Sequence, residues 1–151
     1  MKRAETPMML AFAEAEKAGW RGEVPVGAVL VGPDGTVLAA SGNAVEERGD
    51  PTAHAEMLVL RAGVAALGRK QLDGCDLYVT LEPCPMCAAA IALVRVRRVY
   101  FGAYDPKSGG VEHGPRIFDQ PTCHHRPEVY GGIDERRAGA LLRAFFQARR
   151  D

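Results

Sequence analysis

The chain has no excess of charge of either sign. Lys+Arg and Asp+Glu each number 19 in 151 residues, and net charge is zero with histidine neutral. Binding of a polyanion through bulk positive charge is thereby excluded, and any such partner must be met by local patches. No apolar run approaches the ~18 residues that cross a bilayer. Lys2, Arg3, Glu5, Glu14 and Glu16 interrupt the apolar stretch near the start, so we expect no secretory signal and no membrane contact. Cysteine is scarce: there are four, two of them in a C-x-x-C. That usage suits a reducing, cytoplasmic setting with metal-bound thiolates better than a disulfide framework. Repeats, low-complexity tracts and linker-like segments are also missing. With 47% hydrophobic and 25% charged residues, the expectation is one soluble domain over 1–151 with one substantial core.

The patterning predicts a first helix over Met8–Lys17 that stops at Gly19. Val24–Val31 reads as a strand, and Gly32-Pro33-Asp34-Gly35 turns it into Thr36–Ala39 as a hairpin. Ala53–Leu67 reads as a helix capped by Asp50 or Thr52. Asp76–Leu81 is a short strand, Pro83–Val94 a helix and Arg98–Gly102 another strand. A loop-rich stretch from Asp105 to about Arg126 precedes a brief strand at Glu128–Tyr130 and a helix over Asp134–Arg150. Gly131-Gly132 reads as the end of that strand. Helices alternating with single strands after a hairpin imply an α/β fold, three layers on a mixed sheet.

The chemistry concentrates in His54-Ala55-Glu56 and Pro83-Cys84-Pro85-Met86-Cys87. One histidine and two cysteines hold Zn²⁺ with three protein ligands and leave a fourth position open, whereas a structural site closes with a fourth. Both halves fall at predicted helix starts, where free N–H groups and the helix dipole favour thiolate. Cysteines three apart share one face of a turn. H-x-E followed by P-C-x-x-C is the signature of zinc nucleobase deaminases, in which the glutamate moves protons and does not bind the metal. Glu82, between the strand and the first cysteine, is a candidate second acid but reads more simply as structural, in capping or hydrogen bonding near the metal. Cys123-His124-His125 has no partner cluster elsewhere and is not expected to form a second metal site. Cys75 reads as a small buried hydrophobe.

The chain resembles the bacterial tRNA adenosine deaminases of the cytidine-deaminase superfamily over nearly its full length. The matching blocks are Glu23–Val29, Asp50–Glu56, Leu77–Cys87, Phe101–Ala103, Asp105-Pro106-Lys107-Ser108-Gly109 and Phe145–Arg150. The zinc core specifies only the superfamily. The Asp105 block and the Phe-Phe-x-x-Arg-Arg ending point to the tRNA enzymes. The resemblance implies a cytidine-deaminase-like α/β/α fold on a mixed sheet of about five strands. It implies one Zn²⁺ per subunit on His54, Cys84 and Cys87, Glu56 as proton shuttle, and Asn43 near the bound base. It also implies a homodimer acting on a tRNA anticodon stem-loop, converting adenosine to inosine at the wobble position. Taken by itself, Asn43 after Ser41-Gly42 fits a turn as well as it fits recognition of a purine edge. Two readings remain as rivals: a deaminase of free guanine, cytosine or cytidine, and a non-catalytic RNA-binding subunit with structural zinc.

Substrate contacts are expected at Asp105, Lys107, Phe145, Phe146 and Arg149, because aromatic faces beside positive charge suit stacking on unpaired bases. Arg150 and the Arg95, Arg97, Arg98 group are further basic candidates, the latter more simply surface charge. Backbone N–H groups near Ala55 or Cys84 are candidates to support developing charge. The segment Gly109–Phe118 departs from the family's expected small-residue loop, which leaves His113 and Arg116 as RNA contacts or as packing against a second subunit.

Overall fold

Thr6 opens the first helix. Its hydroxyl oxygen accepts from the Met9 N–H at 3.2 Å, and Pro7 occupies a first-turn position that needs no donor. The computed structural model describes residues 5–150, beginning just ahead of this helix, α1 (Pro7–Trp20). The expected hairpin follows as β1 (Gly27–Val31) and β2 (Val37–Gly42). β1 is shorter than the apolar run predicts because the Val26 N–H turns back to the Val24 carbonyl at 2.8 Å. That tight i to i+2 turn takes 24–26 out of the ladder.

β3 (Asp76–Leu81), β4 (Arg98–Ala103) and β5 (Glu128–Tyr130) complete a sheet in the order β2-β1-β3-β4-β5. β1 runs antiparallel to both β2 and β3, while β3–β4 and β4–β5 are parallel. The sheet is therefore mixed and five-stranded, as expected. α3 (Ala55–Leu67) and α4 (Pro85–Leu93) cover one face, and α1 with α5 (Glu135–Arg150) covers the other. β1 shows why the middle layer holds. Ala28 and Leu30 point into the α3/α4 core, Val29 and Val31 into the α1/α5 core, and all are buried. A strand covered on both faces reads as a continuous apolar run.

The capping expectation is corrected. Asp50 and Thr52 do not cap α3: the Asp50 Oδ1 accepts the Thr52 N–H at 2.8 Å and the Thr52 hydroxyl at 2.7 Å, closing a turn of their own. The N-cap is His54, two residues later. The loop after β2 also contains a four-residue helix, α2 (Val45–Arg48), whose polar sequence gives no periodic signal. A 3-10 turn at Ile117–Asp119 is the one helical turn in the long loop before β5.

Gly27 lies where α1 crosses the sheet, and a Cβ there would run into the Ala11 carbonyl and the Ala15 nitrogen. Neither backbone atom can yield without shifting the helix. Gly27→Ala is expected to destabilise the fold by about 1–3 kcal/mol, read as a lower urea midpoint at unchanged slope.

Candidate zinc centre and substrate cleft

Two helix starts converge on one point. Cys84 is the N-cap of α4, with its Sγ accepting from the Cys87 N–H at 3.5 Å, and Cys87 follows within the first turn. His54, the N-cap of α3, contributes its ring from the neighbouring helix. The His54 Nδ1 lies 3.6 Å from the Cys84 Sγ and 3.5 Å from the Cys87 Sγ, and all three ligand atoms fall within 4.8 Å of one another. Tetrahedral Zn²⁺ at about 2.05 Å from nitrogen and about 2.3 Å from sulfur would separate those atoms by about 3.6 Å. The residues present thus fit a zinc ion, with three protein ligands of four. Among the described residues this is the single cluster with metal-binding dimensions.

The electrostatics around the triad match that use. The Cys87 thiol donates to Cys84 and, against the cost of burial, brings the Cys84 thiol down to about 4. Cys87 is pushed up by Cys84 and by burial, since one pair of adjacent sulfurs without a cation carries one negative charge. His54 is raised by its contact with Cys84, which outweighs burial. A dication between these groups would hold both sulfurs as thiolates. Glu56, in the first turn of α3, is 4% exposed and stands outside the triad. Burial pushes its carboxyl up to about 7, offset only in part by its own backbone N–H and by His54.

A cleft of about 350 Å³ opens over Glu56, His54 and Cys84, large enough for one nucleobase and its sugar. Asn43, Asp105, Phe145 and Arg149 line it as well. Lys107 and Phe146 line an adjoining cleft of about 450 Å³, which shares Val24, Leu81, Asp105 and Ser108 with the first. The Arg149 guanidinium sits 3.8 Å over the Phe145 ring and donates to the Gly22 carbonyl at 3.1 Å, tying α5 to the end of α1. Phe146 meets Phe145 edge to face at 5.3 Å. The Asp105 Oδ1 accepts the Lys107 and Ser108 N–H groups at 3.2 and 3.0 Å, so its carboxylate also shapes its own turn.

Asn43 stands on the cleft wall and at the same time ties backbone together. Its Oδ1 accepts the Ala55 N–H at 2.8 Å, and its Nδ2 donates to the Val24 carbonyl at 3.3 Å. The Ala55 N–H is therefore occupied. Glu23 was given no role by the sequence reading, yet its buried carboxylate accepts from the Glu46 and Glu47 N–H groups at 3.0 and 2.8 Å and so seats α2 beside the cleft. A glutamate just ahead of an apolar strand gives no warning of that use. The Arg95, Arg97 and Arg98 side chains lie at the far end of the sheet, paired with Asp73, Asp76 and Glu128. Cys123 donates to the His125 carbonyl at 3.2 Å, and the His125 Nε2 lies 2.7 Å from the Val96 carbonyl, so this stretch is used in holding its own loop.

The raised carboxyl of Glu56 has a measurable sign. In the metal-free protein its contribution to stability is intact below about pH 4.5 and lost as pH rises through about 7. Metal-free Glu56→Gln is expected to gain on the wild type over that window, by on the order of 3 kcal/mol, in paired denaturant titrations at pH 4.5 and 8. A constant difference between the two proteins would contradict the assigned environment.

Residues 1–103 match the family model described as the cytidine and deoxycytidylate deaminase zinc-binding region. The chain is 58% identical over 143 residues to the tRNA-specific adenosine deaminase of Agrobacterium fabrum, covering 95% of this chain and 93% of that protein. It superimposes with a TM-score of 0.88 and 58% identity on a structure from a study of A-to-I editing by tRNA:A34 deaminases at the wobble position of transfer RNA, covering 90% of this chain and 98% of that one. A guanine deaminase from Bacillus subtilis is more distant, at a TM-score of 0.64 and 32% identity over 99% of this chain and 94% of that one. With the zinc-binding geometry, the cleft and these likenesses together, the chain belongs to the tRNA-specific adenosine deaminases of the cytidine and deoxycytidylate deaminase family.

Proposed function

We propose that this protein is a hydrolytic deaminase that converts adenosine to inosine at the wobble position of a tRNA anticodon. The observation that carries the reading is the meeting, in one cleft, of the His54/Cys84/Cys87 triad, the buried Glu56 and the stacked Phe145–Arg149 pair. The likeness to tRNA-specific adenosine deaminases over 95% of the chain supports it. We read residues 1–151 as a single deaminase domain with one Zn²⁺ per subunit, working in the cytoplasm on the anticodon stem-loop. Among the described residues no helix is long and apolar enough to cross a membrane. A homodimer is part of the same reading: Leu93 on α4 is 79% exposed and offers apolar surface for a second subunit to cover.

His54, Cys84 and Cys87 are the groups that would hold the ion. Zn²⁺ held there would supply a nucleophile at neutral pH by lowering the pKa of water to about 7. Glu56 is the proton carrier: it is buried beside the triad without belonging to it, and a carboxyl there can accept a proton from water and return it to the base. It takes one proton from water and passes it to the ring nitrogen beside C6, then takes the second from the hydroxyl now on C6 and gives it to the departing amine. The C6–N bond breaks as the C6 carbonyl forms, so water and adenosine give inosine and ammonia. The Asn43 Nδ2 keeps one N–H for the base edge, and Phe145 offers a face for stacking. Asp105, Lys107, Phe146 and Arg149 meet the flanking nucleotides in this reading, because the target base must be splayed out of its loop before it enters the cleft. With the Ala55 N–H bound to Asn43, backbone support for developing charge falls to Cys84.

The test is deamination of an adenosine-34 anticodon stem-loop by the zinc-loaded protein, set beside free guanine, cytosine and cytidine. Inosine in the RNA alone is expected. Ammonia from a free base alone would move the protein to the metabolic deaminases, a group that includes the guanine deaminase it resembles at 32% identity. Glu56→Ala is expected to keep its zinc and lose about 10²–10⁴-fold in turnover. Phe145→Ala should raise KM for the stem-loop by about 5- to 100-fold, the range for loss of one stacked base.

A further inference from the structure

The proposed mechanism makes no use of Glu82, which occupies an unusual position. Its side chain is fully buried, two residues before Cys84 and at the end of β3. Every polar contact of its carboxylate goes to the loop that follows β4. Oε1 accepts the Asp105 N–H at 3.0 Å and lies 2.8 Å from the His113 Nδ1. Oε2 accepts the N–H groups of Val111, Glu112 and His113 at 3.2, 2.9 and 3.1 Å. Five donors converge on one carboxylate, and both ends of a nine-residue loop are fixed by it.

The same loop forms substrate-cleft wall through Asp105 and Ser108. It is also pressed against the start of the metal-ligand helix. The Gly110 N–H donates to the Pro83 carbonyl at 2.8 Å, and a Cβ on Gly110 would stand 2.5 Å from the Pro85 nitrogen. A Cβ on Gly109 would strike the Glu82 carboxylate itself. Tyr104, edge-on to the His113 ring with centroids 6.0 Å apart, lines the adjoining cleft. Glu82 thus sets the distance between the wall that faces substrate and the segment that carries Cys84. Burial alone would push its carboxyl up, but the Asp105 N–H, the His113 ring and the Glu112 and Val111 N–H groups hold it below the usual value.

We propose that Glu82 is a positioning residue for substrate, acting through the loop over 105–113, with His113 as the side chain that completes its shell. The inference rests on the deaminase reading for its kinetic consequence and on geometry alone for its structural one. Neither residue touches the base or the metal ligands in this account. An amide in place of the carboxylate can satisfy only one set of donors, because its NH₂ faces N–H groups on the other side. Loss of one such set is worth about tenfold in an equilibrium.

The experiment compares wild type, Glu82→Gln, His113→Ala and His113→Gln as zinc-loaded full chains. Amide hydrogen exchange and steady-state kinetics on the adenosine-34 stem-loop are both measured. In Glu82→Gln the amides of the set left facing the NH₂, either Asp105 or Val111, Glu112 and His113, are expected to exchange at least about tenfold faster, with β3 and α4 unchanged and zinc content intact. KM for the stem-loop should rise about tenfold, with a smaller effect on kcat. His113→Ala should show the same pattern more weakly, and His113→Gln, which restores a donor, should recover most of it. Exchange that is unchanged in the loop, or raised evenly across the domain, would overturn the proposal. A fall in kcat with KM unchanged would overturn it too. If wild type does not deaminate the stem-loop, the functional reading fails, while the exchange comparison still decides whether Glu82 holds the loop.

Discussion

One imidazole and two thiolates can share a cation only if two helices that start on different loops begin within a few ångströms of each other. The whole domain serves that constraint. α4 starts where β3 ends, so Cys84 and Cys87 are fixed by the parallel β3–β4 pair. α3 starts after a loop that has no strand to anchor it. The Asn43 Oδ1 to Ala55 N–H bond supplies the anchor, joining the end of β2 to the residue after His54. Between the two helices lies the α3/α4 core, with Val59, Leu77, Val79, Ala88 and Ile91 all buried. Apolar packing sets the coarse separation, and the Asn43–Ala55 bond with the Ala44 N–H to Ala53 carbonyl bond at 3.0 Å ties down the start of α3.

Three buried glutamates border the cleft, and their surroundings give them different properties. Glu23 and Glu82 spend their carboxylates on backbone N–H groups, two for the first and four for the second, beside the His113 ring. Those donors fix both side chains in place, and the donors around Glu82 hold its carboxyl below the usual range against the cost of burial. Glu56 has no comparable set of donors, so burial dominates and its carboxyl rises to about 7. The side chain that is poorly paired is the one poised for proton transfer. The well-paired ones build the walls.

The elements of the fold were legible because they depend on local signals. The continuous apolar run of β1, the Gly32–Gly35 turn and the apolar stripes of α1 and α3 are all visible in the chain. The triad was legible because residue type and spacing carry the metal chemistry. What could not be read depends on contacts between residues far apart in sequence. The capping expectation at Asp50 and Thr52 failed because α3 begins at His54, whose neighbour Ala55 donates to Asn43, twelve residues earlier in the chain than Ala55. Glu82 and His113 are 31 residues apart, so only the folded loop brings them together. α2 was hidden for the same reason: a four-residue segment with one apolar side chain is seated by a carboxylate from the other side of the hairpin.

The central claim is that His54, Cys84 and Cys87 hold one metal ion and leave one position open. Zinc K-edge X-ray absorption on the purified protein tests this directly. Two sulfurs at about 2.3 Å and two lighter atoms at about 2.0–2.1 Å are predicted, with one lighter atom lost in His54→Ala and one sulfur lost in Cys87→Ser. A shell of four sulfurs, or of two sulfurs and two imidazoles, would describe a closed structural site and contradict the account.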